Sequence, residues 1–225
     1  MSIVRTDAKD PFQRYVFPYM QSNMYVTLEE DEALIVDPHE SSALMEIFQQ
    51  VHIGRLLILL THEHFDHTSG VNFYRRNIAE TYVIAHAQCA SYIAVPKNNR
   101  PLTLLTMLAD ADREALLSFY RSIAVEAISV DRCITEDTEL CWRGHALRIV
   151  PCPGHSPGSA VVFFDGIYAF TGDYLIPDTP VILRFPGGSE DDYLKFTKLF
   201  LDKLPDGMKI LPGHKAPYTF RKTFA

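Results

Sequence analysis

The sequence predicts a layered α/β fold, and three observations carry the prediction. Apolar runs such as Leu56-Leu57-Ile58-Leu59-Leu60 are short and apolar throughout, which fits strands buried on both faces. Stretches with helical spacing alternate with them, and this β-α-β rhythm implies right-handed crossovers between layers. Several of the apolar runs end abruptly in a turn that carries a histidine or an aspartate.

Taken in order, residues 12–19 and 23–28 are β-rich, and Ala33-Leu34-Ile35-Val36 forms a third strand that ends at Asp37-Pro38. The acidic run Glu29-Glu30-Asp31-Glu32 between the last two fits a solvated hairpin turn. Asp37 either orients the histidine-rich loop downstream as an acceptor or serves the turn before Pro38. Ser41 or Ser42 can cap a helix whose Leu44, Ile47, Phe48 and Val51 share one face. After the buried strand at 56–60, Gly70 to Arg76 opens a second helix and Thr81 to Ala85 forms another strand.

Residues 96–101 are a polar break, and a helical tract follows from Leu102 to Ile123. The segment from about 96 to 130 interrupts the alternation, so it is read as a lid or substrate-side insertion, or as surface packing. Residues 139–142 and 146–150 flank Arg143-Gly144 as a hairpin. Next comes Pro151-Cys152-Pro153-Gly154-His155-Ser156-Pro157-Gly158, a loop made rigid by its prolines. A second hairpin turns at Asp165-Gly166 and stops at Thr171-Gly172-Asp173. Ser189 and Asp192 resemble a capping box for a helix over 191–204, and Lys209-Ile210-Leu211 leads into Pro212-Gly213-His214.

The composition excludes some functions. A net charge of −7 without any basic run argues against a nucleic-acid partner, since phosphate tracking needs clustered Lys and Arg. The first ten residues lack the basic-then-apolar layout of a secretory signal. No run approaches the roughly 20 apolar residues that span a bilayer. Cys89, Cys133, Cys141 and Cys152 form no Cys-x-x-Cys pair, which fits reduced thiols. These features predict a cytoplasmic protein with neither membrane nor nucleic acid as partner; oligomeric state is not encoded in them.

The chemistry concentrates in Thr61-His62-Glu63-His64-Phe65-Asp66-His67. His62, His64, Asp66 and His67 are four metal donors within six residues, suited to a borderline ion such as zinc. His155, Asp173 and His214 add three more at later strand ends. Seven donors exceed one tetrahedral ion and suit two. The motif is not His-Glu-x-x-His, because position 66 is aspartate.

With these residues in this order across 23–214, the chain resembles the metallo-β-lactamase superfamily. The resemblance implies a four-layer αβ/βα sandwich, occupying residues 1–225 as one domain, with a dinuclear site at one edge. It implies that His62, His64 and His155 hold one metal, that Asp66, His67 and His214 hold the other, and that Asp173 bridges them. The superfamily's flavin-linked diiron branch has glutamate where this chain has His64, which points to hydrolysis rather than oxygen reduction. Zinc β-lactamases commonly have cysteine at the place of Asp173, so the likeness is to the glyoxalase II, lactonase and RNase Z branches.

Two cations about 3.5–4 Å apart can share one water and lower its pKa to roughly 7. The expected reaction is therefore attack of a metal-bridging hydroxide on the carbonyl of a small-molecule thioester, ester or lactone. Zinc is the expected metal, with iron or manganese as alternatives. Asp66 and Asp173 are the expected positioning carboxylates, and Tyr174 is either a packed aromatic or a donor to the substrate oxyanion, as in some lactonases. A mononuclear iron sulfur dioxygenase, which uses the same fold, is the alternative; a phosphodiesterase is disfavoured by the charge. His39, His86 and Arg184 are candidates for substrate contact, His52 and His145 read as structural or exposed, and Cys152 as packing at its loop base.

Overall fold

The computed structural model describes residues 10–101, 110–122 and 124–222. Strands β1 (Gln13–Val16), β2 (Asn23–Glu29), β3 (Glu32–Val36), β4 (Arg55–Leu59), β5 (Glu80–His86) and β6 (Arg132–Ile134) lie side by side in chain order as one sheet. The first three form an antiparallel meander, and β3 to β6 run parallel. Parallel pairs need long crossovers. Helices α1 (Ser42–Gln50), α3 (Val71–Asn77) and α4 (Ala87–Ile93) lie within them, with a single turn, α2 (Phe65–Thr68), before α3.

The second sheet holds β7 (Thr138–Trp142), β8 (His145–Pro151), β9 (Ala160–Phe164), β10 (Tyr168–Gly172), β11 (Lys209–Pro212) and β12 (Tyr218–Thr219), again in chain order. It is antiparallel except for the parallel pair of β10 and β11. Between these two strands runs helix α6 (Glu190–Asp192), which continues through a π-helical stretch, Tyr193–Thr197, into α7 (Lys198–Leu201).

Three apolar clusters stack these elements into layers. Leu44, Phe48, Val71, Tyr74 and Ile93 pack helices onto the first sheet through Ile35, Ile58 and Val83. Leu34, Val36, Leu59 and Ile84 of that sheet meet Leu147, Ile149, Val162, Phe164 and Phe170 of the second. On the far face, Val161, Ala169 and Ile210 pack against Leu201 and Leu204. The residues of β3 and β9 are buried on both faces because each sheet has a layer on either side. The result is the four-layer αβ/βα sandwich.

Several boundaries differ from the sequence reading. Of the two serines expected as the cap of α1, Ser41 is the one, its hydroxyl accepting from Leu44 N at 3.2 Å. The first strand stops at Val16 because Gln21 N donates to Phe17 O in a turn. α4, β6 and β12 had no counterpart in the reading; they span seven, three and two residues, too little for a periodicity to show. Part of the expected lid, residues 102–109 and 123, lies outside the described residues. The rest of that tract includes a 3₁₀ turn, Pro96–Asn98, and helix α5 (Asp110–Ser122). No helix among the described residues is long and apolar enough to cross a membrane.

Candidate metal centre

The donors converge because their strands end at the same edge. β3 and β4 are parallel with Val36 opposite Leu59, so Asp37 and the loop from Thr61 emerge together. Ala160 N donates to Thr61 O at 2.7 Å, and Gly213 N to Gly172 O at 2.7 Å. The first of these bonds ties the second sheet to the histidine loop, and the other ties the β11 end to the β10 end. An isolated bridge between Ser22 and His214, with Ser22 Oγ donating to Asp66 O at 2.9 Å, joins the last histidine to the first motif.

Two donor clusters result. In one, His64 Nδ1 lies 3.1 Å from His62 Nε2 and 3.0 Å from His155 Nε2, and His155 Nε2 lies 3.4 Å from Asp173 Oδ2. In the other, His67 Nε2 lies 3.4 Å from both Asp66 Oδ2 and Asp173 Oδ1. His214 Nε2 lies 3.5 Å from Asp66 Oδ2 and 3.4 Å from Asp173 Oδ1. Asp173 therefore turns one carboxylate oxygen towards each cluster. Ligand atoms about 2.0–2.2 Å from a tetrahedral ion stand about 3.3–3.6 Å apart, which the contacts at 3.4 and 3.5 Å match, while the two contacts of His64 Nδ1 at 3.1 and 3.0 Å are closer.

Hydrogen bonds on the other ring nitrogens fix which atoms face the clusters. His155 Nδ1 donates to Ile182 O at 2.7 Å, so in the neutral ring Nε2 carries a lone pair. His67 Nδ1 donates to Asp37 Oδ2 at 3.0 Å, which directs its Nε2 lone pair at two carboxylates. His67 Nε2 and Asp173 Oδ1 are buried without a hydrogen-bond partner. A bare lone pair facing a carboxylate at 3.4 Å is repulsive, so Nε2 there carries either a proton or a metal ion, and the histidine and carboxylate donors present fit divalent ions.

The electrostatics agree. Burial drives His62 well below its ordinary pKa, aided by His67 and His64. Burial, with His155 next, lowers His64 to about 3; both rings are thus neutral ligands at neutral pH. Burial also disfavours charge on His67, but the Asp66 and Asp173 carboxylates and the Asp37 bond outweigh it and raise its pKa well above the usual value, so this ring holds a proton that a bound ion would displace. For Asp173 the burial effect is upward, and His214, His67 and His155 overcome it to hold the carboxyl well below the usual range.

Supporting groups surround the donors. Asp37 accepts from Thr61 N at 2.7 Å and Thr61 Oγ1 at 2.6 Å as well as from His67, which settles its role in favour of orienting the loop. Glu63 is a supporting residue that the sequence reading did not assign. It is buried, its Oε2 accepting from Ser156 Oγ at 2.9 Å and its Oε1 from Gly158 N at 3.2 Å. It clamps the His62–His67 loop to the His155 loop. The signal available in sequence was a carboxylate between two ligand histidines; its partner 93 residues later was not visible.

Tyr174 corrects an expectation. Its hydroxyl donates to Cys152 O at 2.7 Å and accepts from His155 N at 2.8 Å, with the ring 1% exposed. It braces the His155 loop and is not aimed at a substrate oxyanion. His39 is buried against Phe17 with ring centroids 5.3 Å apart, away from any rim. His86 caps α4 by accepting from Gln88 N at 3.3 Å. Cys152 is buried at the base of its loop.

A cavity of about 420 Å³ opens beside His64, bounded by Phe65, Gln88, Asn98 and Arg100. Arg184 is exposed and does not line it.

An αβ/βα sandwich with histidine and aspartate donors gathered at its strand ends defines a class, that of proteins built to hold metal at a sheet edge. Within that class the chain belongs to the metallo-beta-lactamase superfamily, whose family model matches residues 18–214. It is 28% identical over 197 residues to the probable metallo-hydrolase YqgX of Bacillus subtilis, a match covering 87% of this chain and 85% of that protein. It is 25% identical over 206 residues to the hydroxyacylglutathione hydrolase GloC of Haemophilus influenzae, covering 88% and 87%. Among solved structures, TTHA1623 in a di-iron-bound form aligns with a TM-score of 0.70 at 23% identity, over 92% of this chain and 93% of that one.

Proposed function

We propose that the protein is a dinuclear metallo-hydrolase that cleaves a small-molecule thioester, with ester or lactone cleavage by the same chemistry. The observation that carries this reading is Asp173, whose two carboxylate oxygens face two separate donor clusters. His62, His64 and His155 would hold one ion and Asp66, His67 and His214 the other, with Asp173 shared. When bound, two divalent ions supply Lewis acidity that lowers the pKa of water and polarises a carbonyl.

The chain's own residues do the positioning. Asp173 places its oxygens between the clusters and Asp66 faces the second, while Asp37 and Thr61 hold the loop that carries the first motif. Glu63, through Ser156, and Tyr174 keep the His155 loop in register. No side-chain nucleophile is required, because addition of water to the carbonyl carbon and departure of the thiolate balance the reaction. The hydroxyacylglutathione hydrolase relative supports a thioester, and zinc is the expected ion by its affinity for histidine and carboxylate ligands.

Purified protein with its metal quantified is to be assayed against thioester, ester, lactone, β-lactam and phosphodiester panels. Two ions per chain with thioester turnover is the expected result; one iron per chain with no hydrolysis of any panel overturns the reading in favour of oxygen chemistry. Asp173→Ala removes a donor from both clusters. It is expected to lower metal content and cut turnover by more than the roughly 10–100-fold seen when a group that merely orients a ligand is lost. Undiminished turnover by metal-depleted Asp173→Ala protein would sink the proposal.

A further inference from the structure

We infer that Arg100 reads an anionic group, a carboxylate or phosphate, on the part of the substrate remote from the scissile carbonyl. The inference rests on the thioester reading above and names the substrate feature that reading leaves open. The cavity beside His64 reaches from the first donor cluster to Arg100, and at about 420 Å³ it falls in the range that holds small ligands. Arg100 is the one cation among its described lining residues; Gln88 and Asn98 add amide side chains, and the one carboxylate of the lining, Glu63, accepts from Ser156 Oγ and Gly158 N.

Three further observations favour a ligand over a surface charge. Among the described residues no carboxylate pairs with Arg100, and of the described arginines without an acidic partner it is the one that lines this cavity. The turn that carries Arg100 is pinned: Asn99 is buried and its amide donates to Ile93 O and Glu126 O, each at 2.7 Å. A guanidinium on a fixed turn loses less freedom when it binds an oxyanion and can engage it bidentately. Finally, Phe65 packs with the apolar cluster of Phe17, Leu116 and Phe185, and a second cavity that it lines holds Arg76, whose guanidinium is already paired with Glu126 at 2.8 Å. The charged end of the substrate is thus directed into the Arg100 arm.

The test pairs binding with turnover. Glutathione, whose carboxylates are its anions, coenzyme A, whose phosphates are, and neutral N-acetylcysteamine are titrated calorimetrically into wild-type, Arg100→Ala and Arg100→Lys protein. Hydrolysis of thioesters carrying one common acyl group on each thiol is measured in parallel, with Arg184→Ala as the control cation. The expected result is that Arg100→Ala weakens an anionic thiol and lowers the anionic-to-neutral ratio of kcat/KM on the order of ten- to a hundredfold, through KM rather than kcat. Arg100→Lys is expected to recover part of the ratio and Arg184→Ala to leave it unchanged.

Response to glutathione or to coenzyme A identifies which anion is read. An unchanged ratio in Arg100→Ala, or an equal change in Arg184→Ala, overturns the inference while leaving the thioester reading intact. Arg100-dependent binding of an anionic thiol without hydrolysis of any thioester would instead uphold the subsite and remove the thioester reading. Failure of wild-type protein to bind or prefer any anionic member overturns the inference outright.

Discussion

Tyr174 shows how two roles for one residue are told apart. Its hydroxyl both donates to Cys152 O and accepts from His155 N, so Tyr174→Phe leaves a buried carbonyl and a buried N–H without partners. That is expected to cost about 1–3 kcal/mol of stability, read by denaturant unfolding, with bound metal retained and kcat changed less than tenfold. An oxyanion donor would behave oppositely: its removal costs about 10²–10³ in kcat with stability little altered, and that outcome would reinstate the sequence expectation. The donors themselves were legible because each is a histidine or aspartate at the end of an apolar run. The roles of Tyr174, Glu63 and Thr61 were not, because each is defined by a partner on another loop, and residue type alone does not reveal which oxygen or N–H a side chain meets.

At the scale of elements, the site depends on how closely the ends of β10 and β11 approach. Gly172 has φ +52°, and a Cβ on Gly213 would stand 2.6 Å from Asp173 Oδ1 and 2.8 Å from His67 Cε1. Neither neighbour can retreat, since Asp173 faces both clusters and His67 is held by Asp37. Gly213→Ala is therefore expected to displace Asp173, lower metal content by elemental analysis, and destabilise by about 1–3 kcal/mol as overpacking does. Full metal content with unaltered turnover would show that the contact relaxes without consequence. The sequence displayed Gly213 only as part of a turn; the need for a missing Cβ comes from crossing chains. The same limit explains the fold reading as a whole. β3, β4 and β9 could be read from uniform apolarity because both faces are covered, whereas β6 and β12 are too short to show a pattern, and the π-helical stretch inside the last long helix has no periodic signature.

For the whole molecule, stability and metal occupancy are one property. The αβ/βα sandwich buries His62, His67 and Asp66 and leaves Asp173 only slightly accessible, so without a cation the folded state holds several donors whose lone pairs face one another. The unfolded chain has no such arrangement and binds ions weakly, so metal stabilises the native state by mass action. At free metal about 100-fold above Kd this amounts to about 2.7 kcal/mol per site, and in a chain of 225 residues each kcal/mol moves Tm by about 2–4 °C. Removing one ion by chelation should thus lower Tm by about 5–11 °C, and on the dinuclear reading proposed above removing a second lowers it further, with recovery when the metal is restored. Asp173→Ala, which lacks the group shared by both clusters, should start from a lower Tm and respond less to the chelator. Differential scanning calorimetry on protein of known metal content reads both quantities. If loaded wild-type protein melts at the same temperature with its ions removed, the donor clusters do not couple metal to folding, and the strand-end convergence described above stands without metal as its stabilising ligand.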